Sequence, residues 1–198
     1  MDFDSILKHR QMVRNYQERV VEESKLQRIL EVAQRGPSAG HAQGTSLVVV
    51  ESAGTRQAIA QLAREENWVA KGYEPWLSRA PVHLILCVEP EEYHRRYAES
   101  DKQQAISSRQ WPVPYWFVDG GCSLMLILLS AVEQGLAAGF QGAQNLPGLA
   151  QLLKIPPQVL PLGVVTLGYA ANPRPGSSIQ RKRRQQRVHR EVWHSSSP

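Results

Sequence analysis

The sequence predicts an α+β domain, and three observations predict it. First, short apolar runs suited to strands are interspersed with helical periodicities, without the regular alternation of a doubly wound sheet. Second, one long segment, residues 118–138, is apolar nearly all round its helical circumference, which marks a helix buried at the centre of an assembly. Third, 198 residues with 42% hydrophobic side chains are enough for one packed domain and exclude disorder or a collagen-like repeat as global descriptions.

Residues 3–9 read as a short helix, followed by a basic and aromatic segment, residues 9–16. A second helix is predicted over residues 22–35, where Leu26, Ile29, Leu30 and Ala33 share one face. Gly36 and Pro37 end it, since glycine suits a left-handed cap and proline cannot continue the hydrogen-bond ladder. A loop of small residues from Ser38 to Gly44 leads into a buried strand over residues 47–50. Residues 55–67 predict a third helix, and residues 82–88 a second strand, short, apolar and preceded by proline. Residues 89–115 are polar with scattered aromatics, a partly helical excursion that ends in Trp111-Pro112-Val113-Pro114-Tyr115-Trp116. After the apolar helix come a short helix near residues 146–153 and a strand over residues 163–168. Residues 171–178 are linker-like and separate a basic tail from the body, so the whole chain reads as one domain with an extension over residues 171–198.

The net charge of +5 is local. Six of the Lys and Arg residues stand between Arg181 and Glu191 against a single acid, and the rest of the chain is balanced. Val188, Val192 and Trp193 in that tail favour a segment laid across something over one free in solvent. The two cysteines, Cys87 and Cys122, lie in apolar runs without zinc-site or iron–sulfur spacing and read as reduced core thiols. The histidines are scattered, which argues against a metal site. The N-terminus is acidic where a signal peptide is basic. The longest apolar stretch, residues 122–132, is about half of a bilayer span. A soluble, cytoplasmic protein is expected.

Three places offer chemistry. Arg10 and Arg14 suit a phosphate, which calls for guanidinium forks, although a solvated helix end would have the same spacing. The loop at Pro37-Ser38-Ala39-Gly40-His41-Ala42-Gln43-Gly44 allows close backbone approach to a flat ligand, or is an ordinary turn. The run at Trp111, Tyr115 and Trp116 is stiffened by prolines into a preformed wall or lid, or is interface core. Neither a GxGxxG nor a GxxxxGK[ST] pattern is present.

Taken in order, these segments resemble the FMN-dependent nitroreductase family over almost the whole chain. The family's Arg-x-x-x-Arg/Lys-x-aromatic opening is matched by Arg10-Gln11-Met12-Val13-Arg14-Asn15-Tyr16, and its Pro-Ser-Ser/Ala-x-Asn-x-Gln loop by Pro37-Ser38-Ala39-Gly40-His41-Ala42-Gln43. Asp119-Gly120-Gly121, Gly135-Leu136-Ala137-Ala138-Gly139 and Leu167-Gly168-Tyr169 match its later motifs. Met12, His41 and Gly44-Thr45 depart from the usual serine, asparagine and Pro-Trp, which bears on individual flavin contacts and on substrate class.

The resemblance implies an α/β/α sandwich with a mixed, mainly antiparallel sheet, an intertwined homodimer, and FMN at the interface. It implies that Arg10 and basic residues among Arg181, Lys182 and Arg183 grip the phosphate, with Arg14 at the pyrimidine edge. Gln11, Met12 and Pro37 accompany them at the cofactor, while Ser38, Ala39 and His41 approach from the other subunit. Backbone N–H groups of Gln141 and Gly142 would face N5, and Asn67 and Lys71 the flavin's polar edge. NAD(P)H would donate a hydride that passes to a small electron-poor acceptor, with Trp111, Tyr115 and Trp116 lining the substrate pocket. Flavin-fragmenting, dehalogenating and deazaflavin-pathway relatives share these motifs. A nucleic-acid binder acting through the basic tail is the rival from another class, with no recognisable binding fold to support it.

Overall fold

The computed structural model describes residues 1–102, 111–171 and 188–193. A four-stranded sheet forms its centre, in the order β1-β2-β4-β3. The strands are β1 Thr45–Val50, β2 Val82–Val88, β3 Ala137–Gly142 and β4 Leu160–Gly168, and each neighbouring pair runs antiparallel. Among the described residues the helices are α1 Phe3–His9, α2 Glu23–Ala33, α3 Ala53–Leu62, α4 Glu65–Val69, α5 Pro90–Tyr97, α6 Tyr115–Glu133 and α7 Leu149–Leu152.

Helices cover both faces of the sheet, which is why β2 is buried along its whole length. On one face Leu84, Val165 and Leu167 pack with Leu26, Ile29 and Ala33 of α2 and with Ile127, Leu128 and Ala131 of α6. On the other, Ile85, Cys87 and Val164 meet Ile59 of α3 and Leu149 of α7. Successive strand residues point to opposite faces, so one apolar run supplies both cores. This is the helix–sheet–helix sandwich expected from the sequence.

Four expectations need correction. The strand over residues 47–50 is not buried: β1 is an edge strand in which only Val50 is fully covered. The single helix over residues 55–67 is two, because Arg64 turns left-handed at φ 52° between α3 and α4. Gly36 is not the left-handed cap of α2; the positive φ falls later, at Gly40. The apolar helix stops at Glu133 rather than running to residue 138, and Ala137–Gly142 is a strand. Gly135 at φ 71° ends α6, with Gly135 N–H donating to Val132 O and Leu136 N–H to Ala131 O, the Schellman arrangement. The strand escapes notice because Ala137-Ala138-Gly139 has little strand preference of its own; pairing with β4 imposes it.

By length and composition alone α6 is long enough to cross a membrane, longer than its apolar stretch suggested. Here it lies on the sheet, with Asp119, Ser123 and Ser130 buried along it. Phe117, Val118 and Met125 on its outer side remain 46% exposed. Of the two cysteines, both unpaired, Cys87 is buried and Cys122 only half-buried. Burial pushes the Cys87 thiol up to about 11, so it stays protonated.

Candidate functional site

Arg10 follows α1, its N–H donating to Ile6 O at 2.9 Å, and the next residues lie along β3. Val13 N–H donates to Ala138 O at 2.9 Å, and Met12 bridges Ala138 in parallel. This close approach requires Gly139, since a Cβ there would stand 2.4 Å from Val13 O. Tyr16 locks the far end: it is buried, shares a hydrogen bond of 2.7 Å with Thr166 Oγ1 and donates to Val13 O at 3.0 Å. Burial raises its phenol well above the ordinary value. The candidates Arg10, Gln11, Met12 and Arg14 are thereby carried on the edge of the strand that ends in Gln141 and Gly142.

Among the described residues neither the Arg10 nor the Arg14 guanidinium has an ion pair, which holds also for Arg35, Arg56 and Arg64, whereas Arg19, Arg28, Arg79, Arg95 and Arg96 all face carboxylates. Arg14 instead lies over the Trp76 ring, 5.3 Å from its centroid, a cation–π contact. Trp76 belongs to a strap fixed by side chains from three elements. The buried Glu65 carboxylate accepts the N–H groups of Trp76, Leu77 and Ser78 and the Ser78 hydroxyl. Arg56 donates to the carbonyls of Ser78 and Ala80. His83 Nε2 donates to Leu77 O at 2.7 Å, the only direction open to a carbonyl partner. Asn67 on α4 and Lys71 in the turn after it are exposed, with Lys71 Nζ 5.0 Å from the Trp68 ring.

The second group of candidates surrounds the loop after α2. Its backbone is left-handed at Gly40 (φ 61°), His41 (φ 61°) and Gln43 (φ 54°), which costs a non-glycine residue roughly 1–2 kcal/mol. Ser38 caps it from within, its Oγ accepting Gln43 N–H at 2.8 Å. From outside, Asp119 Oδ2 accepts Ala39 N–H at 2.8 Å and Arg96 Nε donates to Gly40 O at 2.8 Å. Pro37 and His41 are exposed.

The aromatic candidates gather on α5. Trp111 lies 4.6 Å from Tyr97 and 5.9 Å from both Tyr115 and Trp116, and Trp116 lies 6.0 Å from Tyr93. Trp116 is turned inward, its Nε1 buried without a hydrogen-bond partner, while Tyr115 is 43% exposed. Arg181, Lys182 and Arg183 lie outside the described residues.

Two groups therefore form, one on the β3 edge and one at the N-terminal end of α6. Among the described residues no hydrogen bond, ion pair or ring contact joins them. The nitroreductase family model matches residues 7–169, a span that takes in both. The chain belongs to the nitroreductase family.

Relatives of this nitroreductase-family chain agree along its length. It is 28% identical over 197 residues to the NADH dehydrogenase/NAD(P)H nitroreductase candidate of Methanothermobacter thermautotrophicus, covering 98% of this chain and 88% of that protein. It is 28% identical over 177 residues to the FMN reductase [NAD(P)H] of Bacillus subtilis, covering 85% of this chain and 65% of the other. Among solved structures, B. megaterium NfrA2 superposes with a TM-score of 0.76 at 20% identity, covering 98% and 75% of the two chains. The last likeness bears on the fold.

Sequence reasoning missed the residues that hold the two candidate groups in shape. Asp119 was visible only as part of a motif, and Glu65, Trp76, Tyr93 and Arg96 carried no signal, because their partners are backbone atoms or rings distant in sequence.

Proposed function

We propose that the chain is an FMN-dependent NAD(P)H oxidoreductase that reduces a small electron-poor acceptor, nitroaromatic, quinone or enone-like, by a ping-pong route. The observation that carries this reading is the pair Arg10 and Arg14, two guanidiniums without a carboxylate partner among the described residues, beside the strand that ends in Gln141 and Gly142. The FMN reductase of B. subtilis, named for this cofactor and donor, supports it.

The residues fit FMN. Guanidinium forks suit a phosphate dianion and the polar rim of an isoalloxazine, and the strand edge beside them carries glycines at Gly139 and Gly142. The chemistry FMN supplies when bound is a hydride relay through N5, from NAD(P)H in one half-reaction and to the acceptor in the other.

Arg10, with basic residues among Arg181, Lys182 and Arg183, holds the phosphate. Arg14, steadied by Trp76, keeps a positive charge at the pyrimidine edge, where electron density collects on reduction. Gln11 and Met12 flank it, the Gln141 and Gly142 N–H groups meet N5, and Asn67 and Lys71 serve the outer polar edge. Pro37, Ser38, Ala39 and His41 come from a second protomer, which accounts for two groups of residues that no hydrogen bond, ion pair or ring contact joins among the described residues. The exposed apolar side of α6 is where the protomers meet, and the tail packs on the partner. Trp111, Tyr115 and Trp116 wall the acceptor site. No side-chain acid or base is assigned, since hydride transfer rests on positioning at near-attack distance.

The test is the visible spectrum of the purified protein. A flavin spectrum that NADH or NADPH bleaches without oxygen, and that a quinone or nitroaromatic restores, is expected. A colourless protein that FMN does not reconstitute overturns the proposal.

A further inference from the structure

The turn over residues 38–43 is conformationally expensive, and its own hydrogen bonds do not anchor it to the body. His41 N–H donates to Ser38 O, Ala42 N–H to Ala39 O, and Gln43 N–H to Ser38 Oγ; all three stay within the turn. Its orientation is set by side chains from elsewhere, Tyr93 on α5 among them through a side-chain hydrogen bond with Ser38. Asp119, one turn into α6 and 4% exposed, accepts Ala39 N–H on Oδ2 at 2.8 Å, and the same oxygen accepts the Tyr93 hydroxyl at 2.8 Å. Arg96 on α5 donates from Nε to Gly40 O at 2.8 Å. Its outer fork is held in turn by both oxygens of Asp101, at 2.8 Å each, and by Glu99 at 3.0 Å.

Packing makes the same arrangement selective for one backbone path. A Cβ on Gly40 would stand 2.6 Å from the Tyr97 ring, and one on Gly44 2.5 Å from the Tyr93 ring. Glu89 N–H closes the end of the turn on Gly44 O at 2.8 Å. One side of α5 thus grips the turn, while rings on it also contact Trp111 and Trp116.

We propose that Asp119 and Arg96 are positioning residues for the flavin: through Ala39 N–H and Gly40 O they fix the left-handed turn that presents Ser38, Ala39 and His41 to the cofactor. This rests on the reading that the turn meets FMN. Neither residue touches the cofactor. Their contribution is preorganisation, which removes a conformational penalty that binding would otherwise carry.

The experiment titrates apoprotein with FMN and records the spectrum of the bound flavin at saturation, for the wild type, Asp119→Ala, Asp119→Asn, Arg96→Met and His41→Ala. Asp119→Ala and Arg96→Met are expected to weaken FMN binding about tenfold and to change the bound-flavin spectrum. A lowered folded fraction alone would not alter the spectrum of the flavin that does bind. Asp119→Asn keeps an acceptor oxygen and should recover most of the affinity. If His41→Ala weakens binding or alters the spectrum while Asp119→Ala and Arg96→Met match the wild type in both, the positioning role is overturned and the functional reading stands. If all of these variants match the wild type in both, the turn does not meet the flavin, and this proposal falls together with that reading. Should Asp119→Ala fail to fold, Arg96→Met decides the question, since it removes only the Gly40 contact and exposed ion pairs.

Discussion

The buried carboxylate of Glu65 accepts the backbone N–H of Leu77 at 2.6 Å, and the adjoining N–H groups of Trp76 and Ser78 converge on the same group. The left-handed Arg64 explains how this is reached. By breaking the helix it starts α4 with Glu65 turned inward, and the strap that carries Trp76 toward Arg14 is hung on that side chain.

Glu65→Ala should therefore loosen the strap and not merely trim a surface acid. Several donors lose a charged acceptor, and hydrogen bonds to charged groups contribute about 1.5–3 kcal/mol each when measured singly. With water and relaxation recovering part, a net loss of about 3 kcal/mol is expected. For a chain of this size that lowers Tm by about 6–12 °C in a thermal melt. An unchanged Tm would show that the strap is held without Glu65.

Gly139→Ala tests the seam between the arginine-bearing segment and β3. The added methyl would meet Val13 O at 2.4 Å, Thr166 Oγ1 at 2.9 Å and Trp76 at 3.0 Å. Two of these neighbours are backbone or a short branched side chain with nowhere to move. Overpacking of this kind costs about 1–3 kcal/mol. Since the segment that must yield carries Arg10 and Arg14, FMN affinity should fall more than Tm does. Equal FMN affinity in wild type and variant would separate the seam from the cofactor site.

Single elements were legible from periodicity: α2 and β2 appear where Leu26, Ile29 and Ala33 or the run from Val82 to Val88 place them, and α1 over the residues read as a short helix, whereas the layer arrangement was implied only by the family resemblance. The β3 strand was not legible, since its alanines and glycines acquire strand character only opposite Val164, Val165 and Thr166. The site was half legible in the same way. Arg10 and Ser38 are singled out by the family resemblance, since their spacing alone fits a solvated helix end or an ordinary turn equally. Glu65, Tyr93 and Arg96 act on backbone or side chains up to 56 residues away, and nothing local distinguishes them from solvated polar residues.

Tyr115 and Trp116 are neighbours with different surroundings, and their substitutions should part company. Tyr115→Ala removes a ring that is 43% exposed, so stability should change by about 0.5 kcal/mol or less. A several-fold change in kcat/KM between a quinone and a nitroaromatic, at unchanged FMN content, is the expected signature of a pocket wall. Trp116→Ala opens a gap against Tyr93, whose hydroxyl holds Asp119. It should destabilise the fold more than Tyr115→Ala does, since a cavity replaces part of the packing, and lower FMN content as well. Equal kinetics for Tyr115→Ala on both acceptors would remove Tyr115 from the pocket.

Val118, Gly121, Cys122 and Met125 follow one another at helical spacing along the outer side of α6, and a Cβ built on Gly121 would meet no described residue within 4 Å beyond its chain neighbours and the backbone of its own helix. Val118→Asp should give a monomer in sedimentation velocity at micromolar protein. On the proposed dimer, in which both protomers would contribute to each flavin site, it should release FMN at the same time. A monomeric variant that retains FMN would place the whole cofactor site within one chain.

His83 gives the fold a specific acid sensitivity. It is fully buried on β2, with Nε2 on Leu77 O and Nδ1 without a partner. Burial is the main cause that pushes its ring down to about 4, and nearby Arg56 acts in the same direction, against the Leu77 hydrogen bond and Glu65. The unfolded chain, with an ordinary histidine near 6.5, binds the proton first as pH falls. Between about 6.5 and 4 the unfolded state therefore holds more protons than the folded one, and stability must fall with decreasing pH. The full difference amounts to about 3 kcal/mol at most. His83→Gln keeps a donor for Leu77 O and does not titrate. The stability of the wild type minus that of His83→Gln, from urea melts at a series of pH values, should be flat above pH 6.5 and decline steadily toward pH 4. The carboxylates common to both proteins cancel in that difference, so a flat line across the window would mean that His83 is not the group responsible.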